Sequence, residues 1–413
     1  MRILWLGHNL AYPPKGGPLQ RNYNLLKEAS RLHEVHVLVF DQPASRPPGV
    51  EPEHCLEALS KFCASAEWVP LPADSLGIGR YWRAIGGLLT GDPYEFRWLR
   101  SREMAKRLQQ LAGRIQFDVV HADTLGLAPY VSLVPSAGTV LNHHDIESAL
   151  VRRRAASERS LLWRRFWTRE AANLLAAERH WCPLFHVNMV VSDDEGELLK
   201  PSCRESRIHI VPNGVDIGYF TPRPDPGGTR LLFCGRLDQL ANKGAITFFF
   251  NSIWPQLSDR VNEIEIDVVG KNPPAWLREL SQRDPRVHVP GFVDDVRPYF
   301  QKATIFVCPI TDGGGTRLKI LDALAMGMPI VSTTFAASGL ALRDGTHLLI
   351  ADTPEAIVEQ IIRLLGDQAL RQRLAQGAVD VVRQTYSWDT IGHSLVAAYE
   401  EAFELKARFS STS

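Results

Sequence analysis

Pro309-Ile-Thr-Asp-Gly-Gly-Gly-Thr-Arg-Leu-Lys-Ile-Leu-Asp322-Ala-Leu-Ala-Met-Gly-Met-Pro-Ile-Val-Ser-Thr333 decides how this chain is read. The apolar run leading into it, Thr304 to Ile310, has the length of a buried strand and ends at three consecutive glycines, Gly313, Gly314 and Gly315. A helix-patterned segment with one carboxylate, Asp322, follows, and Gly327-Met-Pro329 closes it before another apolar run. Glycines at the carboxyl end of a strand let backbone N–H groups approach a ligand, and the next helix N-terminus favours anionic groups. A carboxylate further along that helix suits a ribose hydroxyl. The pattern predicts a nucleotide-sugar site.

Working outward, short apolar runs alternate with helix-patterned segments, the signature of βαβ units around parallel sheets. Strands are expected at Ile3 to Gly7, Val35 to Phe40, Val119 to His121, Val140 to Asn142 and Met189 to Ser192. A second series covers Arg230 to Gly235, Glu263 to Gly270, Val287 to Val289, Thr304 to Pro309, Pro329 to Ser332 and His347 to Ile350. Helices fit Gln20 to Leu32, Ser101 to Arg114, much of Leu150 to Arg179, Ala245 to Leu257, Trp276 to Gln282 and Pro354 to Leu365. The Pro- and Gly-dense stretch Val211 to Gly228 separates the series. The expected organisation is a Rossmann-type domain over 1–205, a second over 206–386, and a helix over 387–413 that crosses back to the first.

At 413 residues, two or three domains of about 150 residues each are expected. Lys plus Arg and Asp plus Glu both number 46, so no global field recruits nucleic acid. The six cysteines are scattered without a C-x-x-C, which reads as free thiols in a reducing compartment. The first residues read as a strand, too short an apolar run for a signal peptide, and no run of about 18 apolar residues could span a bilayer.

Three further segments carry chemistry. Gly235-Arg236 with Lys243-Gly244 sets two cations after a strand, suited to a diphosphate and equally compatible with a solvated turn. Leu141-Asn-His143-His144-Asp-Ile-Glu147 follows an apolar strand; adjacent histidines invite a metal reading, but consecutive strand side chains point to opposite faces. Tyr12-Pro-Pro-Lys-Gly16-Gly17-Pro-Leu-Gln-Arg21 is a glycine-bearing loop ahead of a helix, a ligand approach or a tight turn. Val211 to Asp216 and Pro290-Gly291-Phe292 to Asp295 add weaker turn-like motifs.

Taken in order, these segments resemble the retaining glycosyltransferases of the GT-B fold, family 4, and most of all a bacterial exopolysaccharide sugar-transferase subgroup. The resemblance implies an α/β fold of two Rossmann-type domains, with parallel sheets facing across a central cleft. It implies Arg236 and Lys243 on the donor diphosphate and His144 beside the donor sugar. It also implies Gly16, Gly17, Gly235, Gly291, Phe292, Gly313, Gly314, Gly315, Thr316 and Asp322 around the donor, and Arg21 toward the acceptor. Many family members keep a glutamate where this chain has Gly314, and a second where it has Asp322. The implied reaction moves a sugar from a nucleotide-diphosphate sugar to a glycan, lipid-linked or small-molecule acceptor, with retention. No metal and no cofactor are expected, and no D-x-D triplet occurs. The Arg- and aromatic-rich segment 151–181 suits an anionic membrane surface or an ordinary solvated helix, so a cytoplasmic protein is expected, either unattached or peripheral on the inner membrane face. A nucleotide-sugar 2-epimerase and a non-catalytic nucleotide- or glycan-binding module share the architecture. A dinucleotide oxidoreductase fits poorly, because Gly7-His-Asn-Leu10 lacks G-x-G-x-x-G.

Overall fold

The computed structural model describes residues 1–14, 16–43, 46, 49–71, 91–135, 137–204, 206–313 and 318–410. Two compact units emerge: Met1–Pro212 with Ile391–Ser413, and Asn213–Thr390.

Unit 1 holds β1 (Arg2–Gly7), β2 (Glu34–Asp41), β3 (Ser65–Pro70), β4 (Val119–Ala122), β5 (Gly138–Asn142), β6 (Val187–Val190) and β7 (Arg207–Ile210). All pair in parallel in the order β3-β2-β1-β4-β5-β6-β7. The central strands are apolar almost throughout because both faces are covered. Leu4, Leu6, Leu38, Phe40, Val120 and Leu141 join the cluster with Met104, Leu108 and Leu111 of the helix Arg102–Ala112. Alternate residues face the other way, where Trp5 stacks on His121 at 3.7 Å between ring centroids. β3 and β7 were not among the expected strands. Both lie at sheet edges, where half-exposed polar residues blur the apolar signal.

Unit 2 holds β8 (Arg230–Cys234), β9 (Glu265–Val269), β10 (Val287–Gly291), β11 (Ile305–Cys308), β12 (Ile330–Ser332) and β13 (Leu349–Ile350), parallel in the order β10-β9-β8-β11-β12-β13. Each sheet therefore reverses its winding once, between β1 and β4 in unit 1 and between β8 and β11 in unit 2. Ligands of open α/β sheets bind at the carboxyl ends of the strands flanking such a reversal.

Two expected helices are subdivided. The segment from Leu150 onward forms Glu147–Ser157 and Leu161–Trp181. The segment from Ala245 runs as Leu240–Phe248, a π turn at Phe249–Ile253, and Trp254–Arg260, with Pro255 at a helix start where its missing N–H is harmless. All six cysteines are buried and none is in a disulfide, and no described helix is long and apolar enough to cross a membrane.

The terminal helix Trp388–Ser410 contributes its residues from Ile391 onward to unit 1. There the Tyr399 hydroxyl meets His121 Nδ1 at 3.1 Å, and Glu401 pairs with His209. Gly138 makes this packing possible, since a Cβ on it would lie 2.6 Å from the Ala402 carbonyl oxygen. Gly138→Ala should therefore lower stability by about 1–3 kcal/mol, read as an earlier denaturant midpoint for unit 1; an unchanged midpoint would contradict the close packing.

Candidate active site

At the unit 1 reversal the polar centre is Asp123, just beyond β4 and fully buried. Its Oδ2 accepts from His8 Nδ1 at 2.7 Å and Asn22 Nδ2 at 2.6 Å. Its Oδ1 faces His144 Nε2 at 2.9 Å and Asn142 Nδ2 at 3.2 Å. Burial alone would raise the Asp123 pKa, but the charges and hydrogen bonds of His144 and His8 hold it far below the ordinary carboxylate value. Burial likewise pulls His8 down; the hydrogen bond and charge of Asp123, with Glu95 behind, outweigh it, and His8 is net raised. Asn9 Nδ2 lies 2.8 Å from His8 Nε2, and Asn9 Oδ1 has no partner among the described residues. A turned-over Asn9 amide would accept from protonated His8, so the pair accommodates either charge state.

The loop carrying His144 is held from beneath. The backbone N–H groups of Ile146 and Ser148, at the start of the helix Glu147–Ser157, donate to Glu195 Oε2 at 2.7 Å and Glu178 Oε1 at 3.0 Å. These carboxylates answer orphan donors that no N-cap side chain serves. His143 turns away: it is buried, meets Asn188 Oδ1 at 3.2 Å, and burial lowers its pKa to about 4. The two adjacent histidines thus serve different partners. His8, Asp123 and His144 are the described group whose ligand atoms, within 4.8 Å of one another, could converge on a cation, which would have to displace two direct hydrogen bonds.

Arg21, which the resemblance implied toward the acceptor, is buried. It is 1% exposed, and its guanidinium donates to Asn142 Oδ1 at 3.1 Å and the Pro212 carbonyl at 2.8 Å. Burial lowers its pKa to about 10 against the opposing charge of Asp123. The side chain braces Asn142, which itself braces Asp123. Gly16 is exposed at φ 101° and caps the helix Gly17–Leu32, whose Arg21 and Asn22 reach this network.

At the unit 2 reversal, glycines line the carboxyl edge of three neighbouring strands. Gly235 ends the β8 run at φ 150°, and a Cβ on Gly270, just past β9, would lie 1.8 Å from the Gly235 carbonyl oxygen. Gly270 in turn donates to the carbonyl of Gly291 at 2.9 Å. Only backbone fits there. Arg236 is exposed and forks onto Asp238 at 3.2 Å through both Nε and Nη2. Lys243 is exposed in the helix Leu240–Phe248, and Phe292, after Gly291, is 61% exposed. Gly313 adopts φ 127°; Gly314, Gly315 and Thr316 lie outside the described residues.

The helix Leu318–Ala325 brings Lys319 and Asp322 to this edge. Burial pushes the Asp322 carboxyl up to about 7, with the nearby Lys319 charge pulling the other way. Its Oδ1 is shut from solvent and lacks a hydrogen-bond partner among the described residues. Lys319, given no role by sequence reasoning, meets Asn242 Oδ1 at 2.5 Å and sits 4.6 Å from the Phe233 ring centroid.

Sequence reasoning therefore missed His8, Asp123, Asn142, Asn242 and Gly270. The available signal was shared: each of the first three is a polar residue in or just beyond the last residues of an apolar parallel strand. A carboxyl raised from 3.8 to about 7 on folding takes up protons that the unfolded chain has released. Its contribution to stability falls as pH climbs from about 4 to 7 and stays low above. Asp322→Asn should thus melt about 3 °C or more above the parent protein at pH 8, the gap closing toward pH 4; a gap independent of pH would contradict the buried carboxyl.

A family model described as Glycosyltransferase Family 4 matches residues 15–219, and one described as Glycosyl transferases group 1 matches residues 228–367. The phosphatidyl-myo-inositol mannosyltransferase of Mycobacterium leprae is 25% identical over 200 residues, covering 46% of this chain and 52% of that protein. A D-inositol 3-phosphate glycosyltransferase of Nocardioides is 25% identical over 263 residues, covering 56% and 54%. The chain spans about half the length of these curated relatives. Among solved structures, the sucrose-phosphate synthase of Thermosynechococcus elongatus aligns at TM-score 0.70 and 16% identity, over 98% of this chain and 100% of that one. HepE of Anabaena in complex with UDP aligns at 0.65 and 14%, over 97% and 100%. With family models matching both halves and two parallel Rossmann-like sheets built as in those structures, the chain belongs to glycosyltransferase family 4 and has the GT-B fold.

Proposed function

We propose that the chain transfers a sugar from a nucleotide-diphosphate sugar to an acceptor hydroxyl with retention of anomeric configuration, unit 2 binding the donor and unit 1 serving the acceptor side. The observation that carries this reading is the glycine-lined carboxyl edge of the unit 2 sheet, bearing Arg236, Lys319 and an Asp322 oxygen with no partner among the described residues. Cations beside bare backbone suit a diphosphate, and a carboxyl oxygen lacking a hydrogen-bond partner among the described residues suits a ribose hydroxyl. The HepE structure holds UDP, in keeping with such a donor.

In this reading the bond between the anomeric carbon and the diphosphate oxygen breaks, and the acceptor oxygen bonds on the same face. The acceptor proton passes to the departing phosphate oxygen. Arg236, Lys243 and the backbone N–H groups near Gly313 to Thr316 neutralise the charge that develops there, a preorganised electrostatic role that needs no metal. His144, fixed by Asp123 through Nε2, positions the sugar.

A lipid-linked acceptor is supported by the surface of 151–181. Leu161, Leu162 and Trp163 are 65%, 81% and 51% exposed beside exposed Arg164 and Arg165, an arrangement suited to anionic lipid. The mycobacterial relative is named for a phosphatidylinositol substrate. Six buried thiols, none in a disulfide, favour a reducing, cytoplasmic setting.

Thermal-shift screening with UDP-, GDP-, TDP- and ADP-sugars should raise the melting temperature with at least one donor, and failure with all four would refute the reading. Arg236→Ala with Lys243→Ala should cut kcat/KM about 100-fold or more, and His144→Ala comparably. Chelation by EDTA should leave transfer intact; loss on chelation would redirect the mechanism to His8, Asp123 and His144. Conversion of donor without acceptor would mark an epimerase. Sedimentation with phosphatidylglycerol vesicles should fall in Leu162→Glu relative to the parent protein, and equal sedimentation would remove the membrane contact.

A further inference from the structure

We propose that Lys319 is a donor-phosphate ligand of this enzyme, the cation held in place beside the β8 end before any ligand arrives. The inference rests on the nucleotide-sugar reading above and assigns one of its contacts.

Its position is set by a glycine. A Cβ on Gly235 would lie 2.6 Å from Lys319 Nζ, so the ammonium fills the space beside the backbone where β8 turns out of the sheet. Asn242 is buried and ties the parts together: its Oδ1 accepts from Lys319, while its Nδ2 donates to the Arg236 carbonyl at 2.8 Å. The Phe233 face supports the charge from below. The ammonium is thereby locked against the Gly235–Arg236 turn.

Electrostatics point to an anion there. Lys319 lies in the first turn of the helix Leu318–Ala325, where the backbone dipole repels a cation. An oxyanion at this edge would relieve that repulsion. Arg236, by contrast, is exposed and engaged in its fork with Asp238. Lys319 supplies what Arg236, in this arrangement, does not: a cation already aimed and partly desolvated.

The test is calorimetric titration of the parent protein, Lys319→Met and Lys319→Arg with UDP, GDP, TDP and ADP, and then with the nucleoside of whichever binds. Lys319→Met should weaken the nucleoside diphosphate about 10- to 100-fold while changing nucleoside affinity less than about threefold, with Lys319→Arg recovering part of the loss. Equal affinity for the diphosphate in Lys319→Met, or equal weakening of diphosphate and nucleoside, overturns the assignment and leaves the donor reading standing. No binding of any of the four by the parent protein overturns both.

Discussion

A parallel sheet that reverses its winding leaves a gap at one edge, because the crossovers on either side of the reversal depart to opposite faces. Everything polar that matters here gathers at two such gaps. Between β1 and β4 the gap is filled by a buried carboxylate, Asp123, that binds two imidazoles and two amides. Between β8 and β11 it is lined by bare backbone and edged with cations. One fold rule, applied twice in one chain, produces two sites of opposite character.

The difference follows from what each edge must hold. An unpaired buried carboxylate is prohibitively unfavourable, so Asp123 is stable only with its donors, and those donors are then fixed in orientation. Arg21 extends the chain of support through Asn142, and Glu178 and Glu195 hold the adjoining loop by its N–H groups. The second edge is the reverse. Gly235, Gly270 and Gly291 remove side chains, which lets strand ends approach within contact of one another. The buried carboxyl there, Asp322, has an oxygen without a partner among the described residues, and burial raises its pKa to about 7.

The central strands and both series were legible because burial on both faces demands continuous apolar runs, as in Ile3 to Leu6 or Ile305 to Cys308. Edge strands β3 and β7 were not, since exposure permits polar residues such as Glu67 and Arg207. Of the expected site residues, His144 stands in a polar network and Gly235 at a strand end. Arg21, implied toward the acceptor by the resemblance, is buried and holds Asn142 and the Pro212 carbonyl. Asp123 escaped notice because its partners, His8 and His144, lie 115 and 21 residues away, and no local pattern encodes that convergence.

By itself the sequence determined the alternation of strand and helix and the two series with their Pro-Gly boundary. These depend on local periodicity and backbone freedom, which neighbouring residues specify. Only the tertiary structure decided which polar side chains share a carboxylate and where Lys319 comes to rest. Those depend on strand order, and strand order is set by how whole layers pack.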